Sequence, residues 1–241
     1  MKTVLISGAD RNIGLEMTKN FLGRGWKVYA GRFREDLLWL DELKKDYPES
    51  LVIVPMDVSD DESVKAAVRM VAEQEEYLDM LVHNAAHFGG AVDDYDGYMI
   101  PFNINCLGAI RLVQAVLPLM QKGMQRLCFV SSEAGSVSLA HRDEPSSYCM
   151  SKTALNMALR LMFNKLQPLG YTFRLFHPGW ALSDLSGSSG AATDNNSIKE
   201  KGPGQFWPWE SAAAAVEQFI ADRDLEDRMV LIDVEGAEWP F

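Results

Sequence analysis

The chain has 241 residues, 47% of them hydrophobic and 24% charged, which is enough to bury the core of a single domain. A formal net charge of −11 and a pI near 4.8 exclude general affinity for nucleic acid or an anionic membrane, because phosphate contacts need surplus Lys and Arg. The three cysteines (Cys106, Cys128, Cys149) are odd in number and have no metal-ligand spacing, so we expect no metal site and a reducing, cytoplasmic setting.

Val4-Leu5-Ile6 is too short an apolar run for a secretory leader. No segment approaches the ~18 uninterrupted apolar residues of a membrane span. Thr3–Ser7 is a β-branched, nearly continuous apolar run, as expected of a strand buried on both faces. The turn Gly8-Ala9-Asp10-Arg11-Asn12-Ile13-Gly14 follows, then a helical pattern through Leu15, Met17, Phe21 and Leu22. Strand, glycine turn and helix together make an anion site, with backbone N–H groups at the helix start facing the ligand.

Val28–Gly31 predicts a second strand ending at Arg32, and Leu51–Val54 a third. Between them Leu37, Leu38, Leu40 and Leu43 recur at helical spacing. Asp60 to Tyr77 reads as an amphipathic helix, and Tyr77–His83 as a fourth strand. Phe102 to Gln121 reads as one long helix carrying Asn105, and Leu127–Ser132 as the fifth strand. A helix starts at Ser146 or Ser147, either of which can cap it, and runs to about Gln167. Tyr171–Phe176 is the sixth strand, Ser211–Ala221 the last helix and Met229–Ile232 the last strand. The segment 183–208 is rich in Ser, Gly, Asn and Pro; a loop of that length inside a domain is functional or disordered.

Strands alternating with helices predict an α/β architecture: one Rossmann-type, doubly wound parallel sheet of about seven strands with helices on both faces, in a single domain over 1–241. Ligands of such sheets bind at the carboxyl ends of the strands. Gly8, Arg32, Asp57 and Asn84 all fall there.

Tyr148 and Lys152 stand one helical turn apart on the same face. A cation beside a phenol favours the phenolate and makes the phenol a usable acid, whereas burial alone pushes the other way. The alternative for an isolated pair is a solvated helix face.

The ordered set of motifs resembles the short-chain dehydrogenase/reductase family over nearly the whole chain. Ser7-Gly8-Ala9-Asp10-Arg11-Asn12-Ile13-Gly14 is similar to the family's Thr-Gly-x-x-x-Gly-Ile-Gly turn, and His83-Asn84-Ala85-Ala86 to its Asn-Asn-Ala-Gly. Asn105 matches the helix asparagine, Ser132, Tyr148 and Lys152 the catalytic set, and Pro178-Gly179 the Pro-Gly after the sixth strand. Met150–Asn156, His177-Pro178-Gly179-Trp180 and Asp233–Gly236 with Trp239 resemble the C-factor and sniffer-like carbonyl reductase branch. Asn12 departs from the middle glycine, His83 and Ala86 from the outer members of Asn-Asn-Ala-Gly, and Ser183 from threonine.

The resemblance implies hydride transfer between a nicotinamide and a carbonyl or alcohol. Tyr148 would exchange the proton, Lys152 lower the phenol's pKa and bond the nicotinamide ribose, Ser132 hold the substrate oxygen, and Asn105 hold a water that returns the proton. Gly8, Arg11, Asn12, Ile13, Gly14, Arg32, Asp57, Val58, Asn84, Ala85, Ala86, Tyr148, Lys152, Pro178, Gly179 and Ser183 would bind the dinucleotide. Arg32, with Arg34 and Arg11 nearby, stands where an NAD(H) site usually has an acid, so NADP(H) is favoured over NAD(H). For Arg34 solvated surface is the alternative, and for Asp57 an N-terminal helix acid.

His87, Phe88, Leu139, His141, Trp180, Phe206 and Trp207 fall in loops near the expected nicotinamide position, either lining a pocket or packing on the core. For Cys149, simple packing is expected over sensitivity to oxidation. The resemblance also implies a homodimer or homotetramer. The alternatives to a carbonyl reductase are an alcohol dehydrogenase in the oxidative direction and an NADP(H)-binding sensor. The intact Ser132, Tyr148 and Lys152 set counts against the sensor.

Overall fold

The first strand is β1 (Thr3–Ser7), in which all five residues are buried, as its apolar run requires. The computed structural model describes residues 1–89, 95–182, 202–222 and 227–241. After β1 come α1 (Asn12–Gly23), β2 (Lys27–Arg32), α2 (Trp39–Asp46), β3 (Leu51–Pro55), α3 (Asp61–Ala72) and β4 (Met80–His83). A helical run follows, made of α4 (Tyr95–Pro101), a π-helical segment (Phe102–Leu107) and α5 (Gly108–Val116). Next are β5 (Arg126–Val130), a 3₁₀ turn (Glu133–Gly135), α6 (Ser146–Leu166) and β6 (Thr172–His177). The short strands β7 (Trp180–Ala181) and β8 (Gln205–Phe206) precede α7 (Pro208–Ile220), β9 (Leu231–Asp233) and β10 (Glu238–Trp239).

The main sheet has eight strands in the order β10-β9-β6-β5-β4-β1-β2-β3. Only β10 is antiparallel, paired to β9. The order reverses beside β1, and the β1–β4 gap is the crevice where sheets of this type hold ligands. The register sets Ser7 opposite His83, which brings the glycine turn and the Asn84 loop together.

One core layer packs α3, α5 and α6 on the sheet through Val64, Val68, Leu112, Val116, Leu155 and Leu159. The other packs α1 and α7 through Met17, Phe21, Ala212, Val216 and Phe219. Arg126, buried in β5, crosses to this second layer and donates to the carbonyls of Phe219 (2.9 Å) and Ala221 (3.3 Å), at the negative end of the α7 dipole.

Several expected boundaries move. α3 is shorter than Asp60–Tyr77, and Asp60 is its cap: its carboxylate accepts from Ser63 N–H at 2.6 Å. Neither Ser146 nor Ser147 caps α6, whose first turn starts after Pro145 with no side-chain cap. The last strand is shifted to Leu231–Asp233 and gains β10 as a hairpin partner, since the edge of β9 would otherwise stay open. The expected helix at Phe102–Gln121 starts earlier, at Tyr95, and changes hydrogen-bond register through the π segment that holds Asn105. By length and composition the run Tyr95–Leu119 could cross a membrane, with a mean hydropathy of 1.4 in its best window. Arg111 interrupts the run, and Cys106, Ala109, Leu112, Val113 and Val116 are buried in the core, which accounts for its apolar character.

Candidate active site

A cleft of about 1520 Å³ runs along the carboxyl ends of the central strands. One end is the glycine turn. Gly8 has φ +62°, and a Cβ there would lie 2.8 Å from the Ala85 Cα. At Gly14 a Cβ would lie 2.0 Å from the Gly8 carbonyl oxygen, so the turn closes only without side chains at these two points. Asn12, at φ +48°, takes the left-handed conformation that asparagine tolerates. Its Nδ2 is buried with no partner among the described residues. α1 begins here with no side-chain cap and no acid in its first turn, so its leading N–H groups are free for an anion.

Asn84 locks the turn from β4: its Nδ2 donates to the carbonyls of Gly8 (2.8 Å) and Ser7 (3.3 Å). Ser7 Oγ accepts the N–H groups of Asn84 and Ala85, both at 3.1 Å, so its own proton goes to His83 Nδ1, also at 3.1 Å. His83 therefore carries its proton on Nε2. Burial first, then the Lys152 charge, pushes its pKa down to about 3. That Nε2 is buried with no partner among the described residues.

Asp57, Val58, Ala85, Ala86 and Ile13 line the same wall. Asp57 is not a helix cap; its Oδ1 accepts from Ser59 N–H (2.8 Å) and Oγ (2.6 Å). Arg11 also lines the cleft, whereas Arg32 and Arg34 do not. Arg32 is held by Asp41 of α2 at 2.8 Å, and Arg34 forks onto Asp36 at 2.7 and 2.6 Å. Charge along the sequence pointed at these guanidiniums, but neighbouring carboxylates engage them first. Asp10 went unnoticed in the sequence: its Oδ2 accepts the N–H groups of Phe33 (2.9 Å) and Arg34 (2.7 Å), tying the turn to the end of β2.

At the other end Ser132, Tyr148 and Lys152 converge. The 3₁₀ turn after β5 sets Ser132, and the first two turns of α6 carry the other two. The Lys152 ammonium, almost wholly buried, donates to the Val130 carbonyl at 2.9 Å and lies 5.7 Å from the centre of the Tyr148 ring. Burial pushes its pKa down to about 8. Burial also pushes the Tyr148 phenol above its ordinary value, and the nearby Glu133 charge acts in the same direction. The depression expected from sequence is therefore not found in the protein alone; desolvation outweighs the amine. Phe88 covers the phenol, ring centres 4.6 Å apart.

Asn105 is fully buried behind the wall rather than on it. Its Oδ1 accepts His87 N–H (2.8 Å), and its Nδ2 donates to the His87 carbonyl (2.9 Å) and Ser151 Oγ (2.8 Å). It clamps the His87 loop to α6, and its π-helical setting is one that recurs at functional sites. Pro178 and Gly179 line the cleft, and a Cβ on Gly179 (φ +68°) would strike the Phe206 ring at 2.4 Å. Ser183 lies outside the described residues, as does the 183–201 part of the predicted loop. His87, His141, Trp180 and Phe206 line the cleft; Leu139 and Trp207 do not, and Trp207 N–H bonds Glu210 at the start of α7. Burial pushes the Cys149 thiol up, in keeping with packing.

Glu133 and Arg142 at this end were missed, and Asp233 and Trp239, known from sequence only as a branch motif, join them. Glu133 accepts the Ser132 hydroxyl proton at 2.6 Å, and Arg142 pairs with its other oxygen. The β9–β10 hairpin adds Asp233 and Trp239, joined by an indole N–H bond of 2.8 Å, with Trp239 edge-on to His177. A carboxylate directly after the strand-end serine was the one signal available.

The match to the short chain dehydrogenase family model covers residues 2–194. The chain belongs to that family. C-signal of Myxococcus xanthus is 36% identical over 128 residues, 51% of this chain and 76% of that protein. Mouse estradiol 17-beta-dehydrogenase 2 is 32% identical over 196 residues, 78% of this chain but only 50% of that protein, so the chain spans about half of that relative's length. The NADPH-bound carbonyl reductase from chicken fatty liver superposes over the whole chain and 94% of its own, with TM-score 0.86 and 25% identity. The Sniffer carbonyl reductase of D. melanogaster shares the fold at TM-score 0.85 and 21% identity, over all of both chains. The C-signal relationship agrees with the branch that the motifs of α6 and the C-terminal hairpin resemble.

The His83 geometry yields a prediction. A folded-state pKa held near 3, against an ordinary 6.5, means that the unfolded chain takes up a proton first as pH falls. The stability His83 contributes when neutral is present above about 6.5 and is lost between 6.5 and about 3. Urea midpoints should therefore decline more steeply with acidification in the wild type than in His83→Asn. Parallel declines would contradict this.

Proposed function

We propose that the chain is an NADP(H)-dependent oxidoreductase that reduces an aldehyde or ketone, with Tyr148 as the proton donor. The observation that carries this reading is the convergence of Ser132, Tyr148 and Lys152 on one cleft whose far end is an uncapped helix N-terminus. The glycine turn fits a dinucleotide: its tight backbone leaves room for a pyrophosphate, and the free N–H groups of α1 would hold it. The nicotinamide supplies the hydride when bound. Lys152, anchored by Val130 O, is placed to hold the ribose and counter charge on Tyr148. Phe88 and the buried setting keep bulk water from the phenol, so its proton is retained until an oxyanion develops beside it. Asn105 acts indirectly, holding His87 and Ser151 in place.

A purified sample should consume NADPH with members of a carbonyl panel, and Tyr148→Phe should lower kcat by a factor of about 10² or more while still binding NADPH. NADPH binding without turnover on any carbonyl would favour the sensor reading instead.

Preference for NADP(H) rests on Arg11 in the cleft wall and on Arg34, the residue after the cleft-lining Phe33, whose exposed pair with Asp36 can exchange for a phosphate. It is supported by the NADPH held in the chicken enzyme. Arg11→Ala combined with Arg34→Ala should weaken NADPH binding about tenfold or more and leave NADH binding unchanged, as read by fluorescence titration. Equal loss for both cofactors would refute the assignment.

A homodimer or homotetramer is proposed from the outer face of α6, where Met150, Met157 and Leu161 are each about three-fifths exposed. Met157→Lys with Leu161→Lys should shift the light-scattering mass to that of one chain; a wild type already at that mass would exclude the proposal. The three free thiols and the acidic surface fit a cytoplasmic enzyme of small molecules.

A further inference from the structure

A serine hydroxyl has one proton to give. In Ser132 that proton goes to Glu133 Oε2 at 2.6 Å, while the same oxygen accepts Ala134 N–H at 3.1 Å. Glu133 opens the 3₁₀ turn after β5 and is only 16% exposed. Its second oxygen is taken by the Arg142 guanidinium, and His177 Nε2 stands 3.6 Å from the first. Ser132, Glu133, Arg142, His177 and Tyr148 all line the cleft. A carboxylate with that many donors is held ionised: burial raises its pKa, but Ser132, His177 and Arg142 together bring it below the usual range. The titratable groups facing the phenol are then the charged Glu133 and Arg142 and, next door, the neutral Cys149 thiol, with the Lys152 ammonium above the ring. His177 is faced in turn by Glu133, Asp233, Arg142 and Lys152.

We infer that Glu133 is a positioning residue for the proton step, fixing the Ser132 hydroxyl as an acceptor and placing a permanent negative charge beside the Tyr148 phenol. Ser132 then cannot donate to a substrate oxygen while Glu133 holds its proton, so Tyr148 remains the proton source on that side of the cleft. This rests on the reading of Tyr148 as the proton donor. Removing the charge should make the phenol a stronger acid. Removing Arg142 takes away a cation and should act in the opposite sense. A carboxylate that merely braced the 133–142 loop through its ion pair would make both variants behave alike.

The test uses the full chain with ¹³Cζ-labelled tyrosine, the Tyr148 signal being assigned by its loss in Tyr148→Phe. Wild type, Glu133→Gln and Arg142→Gln are titrated from about pH 7 to about pH 11.5, spanning the ordinary tyrosine range. The midpoint in Glu133→Gln should fall by about one pH unit, the scale of a neighbouring charge, and that in Arg142→Gln should not fall. The same downward move should appear in the alkaline limb of kcat/KM for alcohol oxidation with NADP⁺. A Glu133→Gln midpoint equal to or above that of wild type overturns the inference, as does the absence of phenolate in both up to about pH 11.5. Arg142→Gln falling by the same amount does so too. The titration needs no turnover, so a protein inert toward every alcohol and carbonyl would overturn the proposed reaction while the midpoints still decide the role of Glu133.

Discussion

A single buried hydrogen bond, from the Lys152 ammonium to the Val130 carbonyl, joins the two parts on which the site depends. It ties the second turn of α6 to the last residue of β5, and so fixes where Tyr148 stands relative to Ser132. A buried cation left without a partner would be costly, so α6 has little freedom to rotate or slide. The cost is visible in the amine, whose affinity for its proton is already reduced by burial. Chemistry at the cleft thus begins as a packing constraint between one helix and one strand end.

The opposite end obeys a different constraint. There the backbone must come close to itself, with Gly14 against the Gly8 carbonyl and Asn84 pinning both from β4. Ser7 Oγ coordinates that loop by accepting two N–H groups and passing its proton to His83. His83 bonds Ser7 and feels the Lys152 charge, and it stays neutral because of both burial and that charge. A neutral side chain there avoids placing a second cation beside Lys152.

Between the ends, the walls combine aromatic rings with few unpaired charges. Phe88 covers the phenol, Phe206 meets Gly179, and Trp180 and Trp239 line the same cleft. Arg142 and Glu133 neutralise one another at the rim, with the buried His177 imidazole alongside.

Much of this was legible in the residues themselves. Alternating apolar strands and amphipathic helices, the glycine turn and the one-turn spacing of Tyr148 and Lys152 are properties of short stretches, governed by periodicity and backbone sterics, and they specified the architecture and the Tyr148 end of the cleft. The tertiary structure alone decided what each charge and amide faces. Arg32 turned to Asp41, Asn105 to the His87 backbone, and Glu133 to Ser132, Arg142 and His177, while a C-terminal hairpin brought Trp239 across to His177. Three of those pairings, Asn105 with His87, Glu133 with His177 and His177 with Trp239, join residues that lie far apart along the chain. Long side chains choose partners by proximity in space, and burial then sets the price of every charge, so the phenol's acidity could not be read from its spacing to a lysine.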